Sequence, residues 1–162
     1  AGRIVLALDY SEHLQDEAAT IAFGKLLGEY CAGGARIFIK GDLGAGKTTL
    51  CRGILRAFGY EGAVKSPTFT LVEPYELAQQ SIYHFDLYRL GNPNELEYIG
   101  IDEYFHAQNL CLVEWPERAA DTLPPGDVEV VLSVSGKSRD ILLRSMTVLG
   151  EAVCQKVFGS LS

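Results

Sequence analysis

Long hydrophobic runs, paired cysteines and an excess of basic residues are all missing from this chain of 162 residues. The apolar run at residues 4–8 is too short for a signal-peptide core or a membrane span, and we expect it to form a strand. The four cysteines form no C-x-x-C pair, which disfavours a disulfide framework or a zinc site and favours a reducing cytosol. The net charge of −7 disfavours a broad nucleic-acid-binding face. We therefore expect a cytoplasmic protein with no membrane partner.

Residues 41–48 read GDLGAGKT and match the Walker A phosphate-binding pattern G-x-x-x-x-G-K-T. Glycines let the backbone N–H groups of such a loop approach an anion closely. Lys47 is expected to contact the β- and γ-phosphates of ATP or ADP, and Thr48 is expected to coordinate Mg²⁺. The other predicted nucleotide-binding residues belong to the loop and to the start of the helix behind it: Asp42, Leu43, Gly44, Ala45, Gly46 and Thr49.

The Walker A motif between a predicted strand and a predicted helix, together with the spacing of apolar residues elsewhere, predicts one α/β P-loop NTPase domain over residues 1–162. The expected sheet is mixed and mostly parallel, carries an antiparallel hairpin, and has helices on both faces. Strands are predicted near 36–40, 69–76, 81–88, 109–113, 128–134 and 140–146. Helices are predicted at 12–30 with Ser11 as the N-cap, then near 49–58, 93–99 and 149–158.

Two acidic residues follow strand-like runs, where a nucleotide site needs carboxylates near its metal. Glu114 comes directly after the apolar residues 110–113, and Asp86 ends the run 81–85. Both are predicted to serve Mg²⁺ or the attacking water, and the choice between them as the direct ligand stays open. His84, between the apolar residues of its run, is interpreted as a packed strand residue.

Two further residues are assigned to the site from their positions. Thr68 lies in the segment 66–70, at the distance past the Walker A loop where a switch threonine senses the γ-phosphate and Mg²⁺ in P-loop proteins. Trp115, the single tryptophan of the chain, follows Glu114 and is expected to border the site.

Five segments together closely resemble the bacterial TsaE family. They read GDLGAGKTT at 41–49, KSPTFTLVE at 65–73, YHFDLYRL at 83–90, ELE at 95–97 and LVEWP at 112–116. The Walker A loop alone is unspecific, whereas the SPTF, HFDLYRL and VEWP strings are highly specific. The resemblance extends in order over roughly residues 20–135.

The resemblance implies a small ATPase required for the threonylcarbamoyl modification of adenosine 37 in tRNAs that read codons beginning with A. In that family the ATPase docks on the TsaB and TsaD proteins, and tRNA would be reached mainly through that complex. Carried over, Lys47 and Thr48 bind phosphate and metal, and Glu114 and Asp86 serve the metal or the water. Thr68 would act in the switch loop.

Three other classes of P-loop protein share the Walker A loop. A metabolite kinase usually brings an arginine-rich lid, and the arginines of this chain form no close cluster in sequence. A GTPase usually carries an N-K-x-D string, which is not found here. A module that binds ATP without hydrolysing it remains open, because the residue that activates water is not identified by the sequence.

Overall fold

The computed structural model describes residues 8–161. The strands are β1 (Asp9–Leu14), β2 (Ala35–Lys40), β3 (Val72–Glu76), β4 (Ser81–Asp86), β5 (Leu110–Glu114), β6 (Val128–Ser135) and β7 (Ser138–Ser145). The helices are α1 (Glu17–Glu29), α2 (Lys47–Arg56), α3 (Asn94–Tyr98), α4 (Ile101–Tyr104) and α5 (Val148–Leu161), with a 3-10 turn at Pro116–Ala119. No helix within the described range is long and apolar enough to cross a membrane.

The strands form one mixed sheet in the order β1-β7-β6-β2-β5-β4-β3. The four central strands β6, β2, β5 and β4 are parallel. β3 joins one edge as the antiparallel partner of β4, and β7 and β1 add two antiparallel strands at the other edge. The predicted fold class and the predicted hairpin are therefore confirmed, and the carboxyl ends of β2, β4 and β5 meet at one edge.

Side chains of the central strands alternate between two apolar layers, because successive strand residues point to opposite faces. Leu110 and Leu112 of β5 join the larger cluster, to which α1, α2 and α5 contribute. Cys111 and Val113 join the smaller cluster, with α3, α4 and the 3-10 turn. Helices thus cover both faces as expected, and α2 lies on the face to which Glu114 belongs.

The predicted start of the first helix is wrong. Ser11 lies in β1 opposite Leu142 of β7, and α1 begins at Glu17 with Asp16 as its N-cap. The Asp16 carboxylate accepts a hydrogen bond of 2.8 Å from the N–H of Ala19. A polar stretch gives little periodicity, so only pairing with a strand distant in sequence defines β1. The strand expected at residues 4–8 falls outside the described residues, apart from Leu8, which lies in no strand.

Glycines allow α1 and α2 to pack at very short distance. A Cβ at Gly24 would lie 2.5 Å from the carbonyl oxygen of Leu50, and one at Gly53 would overlap the carbonyl oxygen of Ile21. Backbone thus meets backbone where the two helices cross. The close contact fixes α2, and with it the Walker A loop, against the rest of the fold.

We expect Gly53→Ala to lower the free energy of unfolding by about 1–3 kcal/mol, because the added methyl has no space without a backbone shift. Urea denaturation measures this change. Gly159→Ala in α5 is the matched control, since its added Cβ meets nothing within 4 Å beyond its chain neighbours and the backbone of its own helix, and helix propensity favours alanine there. Equal stability of the two variants would contradict the packing argument.

Candidate nucleotide-binding site

A cleft of about 620 Å³ opens at the carboxyl edge of the parallel strands. It is lined by Leu43, Gly44, Gly46, Lys47, Thr48, Thr49, Ser66, Thr68, Asp86, Tyr88, Arg89, Glu114 and Trp115. Two of the predicted site residues do not line it: the Asp42 side chain is exposed and Ala45 is buried. The structure therefore brings together the loop, the threonines, both acids and the tryptophan that the sequence placed in one site.

The Walker A loop connects β2 to the first turn of α2. Gly46 precedes the helix in the left-handed region, with φ of 104°. A residue with a Cβ rarely adopts that conformation, which explains the glycine at this position. The N–H groups of the first helical turn have no partner within the helix, so this end of α2 favours an anion.

Lys47 begins α2, and its side chain is almost fully buried. The Nζ atom donates hydrogen bonds to the carbonyl oxygens of Gly41 at 2.5 Å and Asp42 at 2.8 Å. It also lies 4.6 Å from the centre of the Trp115 ring, a cation–π distance. Burial lowers the pKa of Lys47, while the nearby carboxylates of Glu114 and others oppose that shift. The cation is thus fixed between its own loop and the acidic end of the sheet.

Glu114 and Asp86 are register partners at the ends of β5 and β4, and both side chains are buried. The Thr48 hydroxyl donates to Glu114, at 3.1 Å from Oε2 and 3.3 Å from Oε1. Asp86 accepts hydrogen bonds from the Ser66 hydroxyl and, at 2.9 Å, from the N–H of Tyr88. These hydroxyl and carboxylate oxygens are hard ligands of the kind that Mg²⁺ prefers, so the residues fit the ion.

His84 is a fully buried strand residue, as interpreted from the sequence, but it does more than fill space. Its Nε2 lies 2.6 Å from Oε2 of Glu114. The signal that would have found it is strand alternation, since His84 and Asp86 are two residues apart and share one face. Donor atoms of Cys51, His84 and Glu114 lie within 4.8 Å of one another. Burial raises the pKa of the Cys51 thiol, with Glu114 adding to the shift, which disfavours a thiolate ligand.

The segment around Thr68 forms a compact turn beside the cleft. The N–H of Thr68 donates to the carbonyl oxygen of Ser66 at 2.9 Å, and the N–H of Leu71 donates to that of Pro67 at 2.9 Å. The neighbouring Phe69 side chain is 86% exposed, with the Arg89 guanidinium 5.3 Å from its ring centre. The switch role of Thr68 stays a prediction.

Three arginines that were not assigned to the site from the sequence lie at or beside it, and one of them, Arg89, lines the cleft. Arg139 of β7 donates to the carbonyl oxygens of Ala45 at 3.0 Å and Gly44 at 3.2 Å, so it braces the outside of the loop. The Arg118 guanidinium lies 5.6 Å from the Trp115 ring centre. Arg139 is more than ninety residues from the loop in sequence. Its contact depends on the sheet order, and no local pattern reveals it.

The strand–loop–helix arrangement and the two strand-end carboxylates define an α/β protein of the P-loop class. The profile of the family described as "Threonylcarbamoyl adenosine biosynthesis protein TsaE" matches residues 14–141. The chain belongs to the TsaE family, and the resemblance noted in its sequence is confirmed.

Individual relatives agree with the family assignment. The chain is 43% identical to the Haemophilus influenzae "tRNA threonylcarbamoyladenosine biosynthesis protein TsaE" over 148 residues, covering 88% of this chain and 94% of that protein. It is 36% identical to the Bacillus subtilis protein of the same name, covering 85% and 87%. A solved structure described as "Crystal structure of Bacillus subtilus YdiB" matches with a TM-score of 0.80 and 28% identity, over 99% of this chain and 100% of that chain.

Proposed function

We propose that this protein is a Mg²⁺-dependent ATPase that acts in the threonylcarbamoyl modification of adenosine 37 in tRNAs reading codons that begin with A. The observation that carries the ATPase proposal is the hydrogen bond between Thr48 and Glu114. It joins the first turn of the Walker A helix to a strand-end carboxylate at 3.1 Å, with Lys47 beside them. The family description and the names of the relatives support the role in tRNA modification.

Four side chains of the cleft have a defined task in this proposal. Lys47 and the N–H groups at the start of α2 bind the β- and γ-phosphates. Thr48 and Glu114 hold Mg²⁺, with Asp86 beside them, and the bound ion would neutralise charge that develops on the phosphoryl oxygens. Glu114 and Asp86 also orient the attacking water by accepting its hydrogen bonds. We propose ATP rather than GTP as the nucleotide, because the chain has no N-K-x-D string.

The partners proposed for the protein are TsaB and TsaD, with tRNA reached through their complex. Exposed apolar side chains at the cleft support a docked protein there: Leu43 is 65% exposed and Phe69 is 86% exposed. A docked partner can order a switch segment or supply a catalytic group, and either effect accelerates phosphoryl transfer. The net charge of −7 disfavours direct binding of this protein to the tRNA phosphate backbone.

The test is ATP turnover by the purified protein with and without TsaB and TsaD. We expect slow hydrolysis by the protein alone and a rise of about tenfold or more in the complex. Thr68→Ala should remove most of that rise, because Thr68 lines the cleft. Thr70→Ala is the matched control, since the hydroxyl of Thr70 is exposed and donates to the carbonyl of Val72. Equal turnover with and without the partners, together with no detectable complex, would refute the partner proposal.

A further inference from the structure

His84 places a buried imidazole inside the sheet, and only one of its two ring nitrogens has a hydrogen-bond partner within the described residues. It has no exposed surface, and its Nε2 lies 2.6 Å from Oε2 of Glu114. Its second nitrogen, Nδ1, has no hydrogen-bond partner within residues 8–161. Burying a polar atom without a partner is unfavourable, so a residue needed only for packing would be apolar at this position. Ile82, one step along the same face of β4, is such a residue.

The register of the sheet explains where the imidazole acts. His84 lies opposite Leu112, and Glu114 follows Leu112 on the same face of β5. The ring therefore contacts the carboxylate from the core side, while Thr48 contacts it from the first turn of α2. Since an ionised carboxylate only accepts hydrogen bonds, His84 donates through an Nε2–H.

We propose that His84 is a positioning residue, which fixes the carboxylate of Glu114 in the orientation that receives the metal–nucleotide. The inference rests on the proposed ATPase function. A buried carboxylate between two donors has few other orientations, so little ordering remains to be done when the ion binds. His84 itself touches neither the nucleotide nor the water, and it acts only through Glu114.

The hydrogen bond can be tested directly by ¹⁵N NMR of the histidine rings, without nucleotide or metal. We expect the His84 ring to be protonated at Nε2, with an Nε2 signal that shifts in Glu114→Ala. Protonation of the ring only at Nδ1 would overturn the inference, and so would an Nε2 signal that stays unchanged in Glu114→Ala. Neither result depends on whether the protein hydrolyses ATP.

The functional consequence is tested with three replacements of His84. The amide nitrogen of His84→Gln can reach the place of Nε2, whereas that of His84→Asn stays near the place of Nδ1, and His84→Leu has no donor. Loss of such an outer contact costs about 10- to 100-fold in metal affinity or activity. We expect that loss in the Asn and Leu variants, in kcat and in Mn²⁺ affinity with ADP measured by electron paramagnetic resonance. The KM for ATP should change little, and Gln should recover most of the loss.

Ile82→Val is the control for disturbed packing, because it removes core volume on the same face of β4 without a hydrogen bond. Equal kcat and Mn²⁺ affinity for the Gln and Asn variants would overturn the positioning role, even if His84→Leu does not fold. If wild-type protein binds Mn²⁺ and ADP but does not hydrolyse ATP, the proposed function fails. The Mn²⁺ affinities and the ring tautomer then still decide whether His84 positions Glu114.

Discussion

Lys47→Ala is expected to reduce ATP turnover by at least about 10²- to 10³-fold while the protein stays folded. The Lys47 ammonium donates hydrogen bonds to the carbonyl oxygens of Gly41 and Asp42. In the proposed site it would donate to the β- and γ-phosphates instead. Charge-assisted hydrogen bonds to phosphate are strong, and removing one donor to developing charge costs a factor of this size. We expect the variant to fold, because burial lowers the pKa of Lys47. The buried charge is therefore unfavourable in the folded state, and its removal should not destabilise the protein.

Steady-state ATPase rates and thermal unfolding curves measure the two halves of this prediction. Lys40→Ala is the matched control: Lys40 ends the strand before the loop, but its ammonium pairs with Glu129 at 3.3 Å outside the cleft. A folded Lys47→Ala protein with the wild-type rate would show that the Walker A lysine has been assigned a role it does not have.

Glu114→Gln is expected to lower kcat by about 10²- to 10³-fold while the affinity for nucleotide changes much less. The amide keeps the size of the side chain and can still accept hydrogen bonds from Thr48 and His84. It removes the negative charge that is proposed to hold the metal and to orient water, and such a charge matters most in the transition state. Asp86→Asn should act in the same direction and more weakly.

Calorimetric titration with ADP and Mg²⁺ separates binding from turnover in these variants. Glu117→Gln is the control, because Glu117 is exposed in the 3-10 turn three residues after Glu114 and does not line the cleft. Retention of ATPase activity in both the Glu114 and the Asp86 variant would place the metal site elsewhere.

Local patterns predicted the parts of the site that depend on neighbouring residues. The strand before Gly41, the helix after it and the apolar run before Glu114 are each short-range signals, and β2, α2 and β5 confirm them. Asp86 and Glu114 lie close together because the carboxyl ends of their parallel strands meet at one edge of the sheet. The shared strings of the TsaE family tied these separate signals to one protein type.

The remaining features depend on contacts between distant segments, which one sequence does not encode locally. β1 exists because β7 pairs with it, and a polar hexapeptide carries no sign of that pairing. Arg139 contacts Gly44 and Ala45 because the sheet order places β7 beside β6, and β6 beside β2, the strand that leads into the loop. His84 was interpreted as packing because no second histidine lies nearby in sequence, although strand alternation places it on the same face as Asp86. Its partner is Glu114, thirty residues further along the chain.

Trp115 gives this protein a built-in optical reporter. Its backbone adopts the left-handed conformation with φ of 58°, and the Lys47 ammonium lies 4.6 Å from its ring centre. Indole emission responds to a charge held against the ring, and Trp115 is the only indole in the chain. If a bound nucleotide draws the ammonium away from the ring, as the proposed function requires, the wavelength and intensity of the Trp115 emission should change. Nucleotide occupancy of the cleft could then be followed in the unlabelled protein by itself.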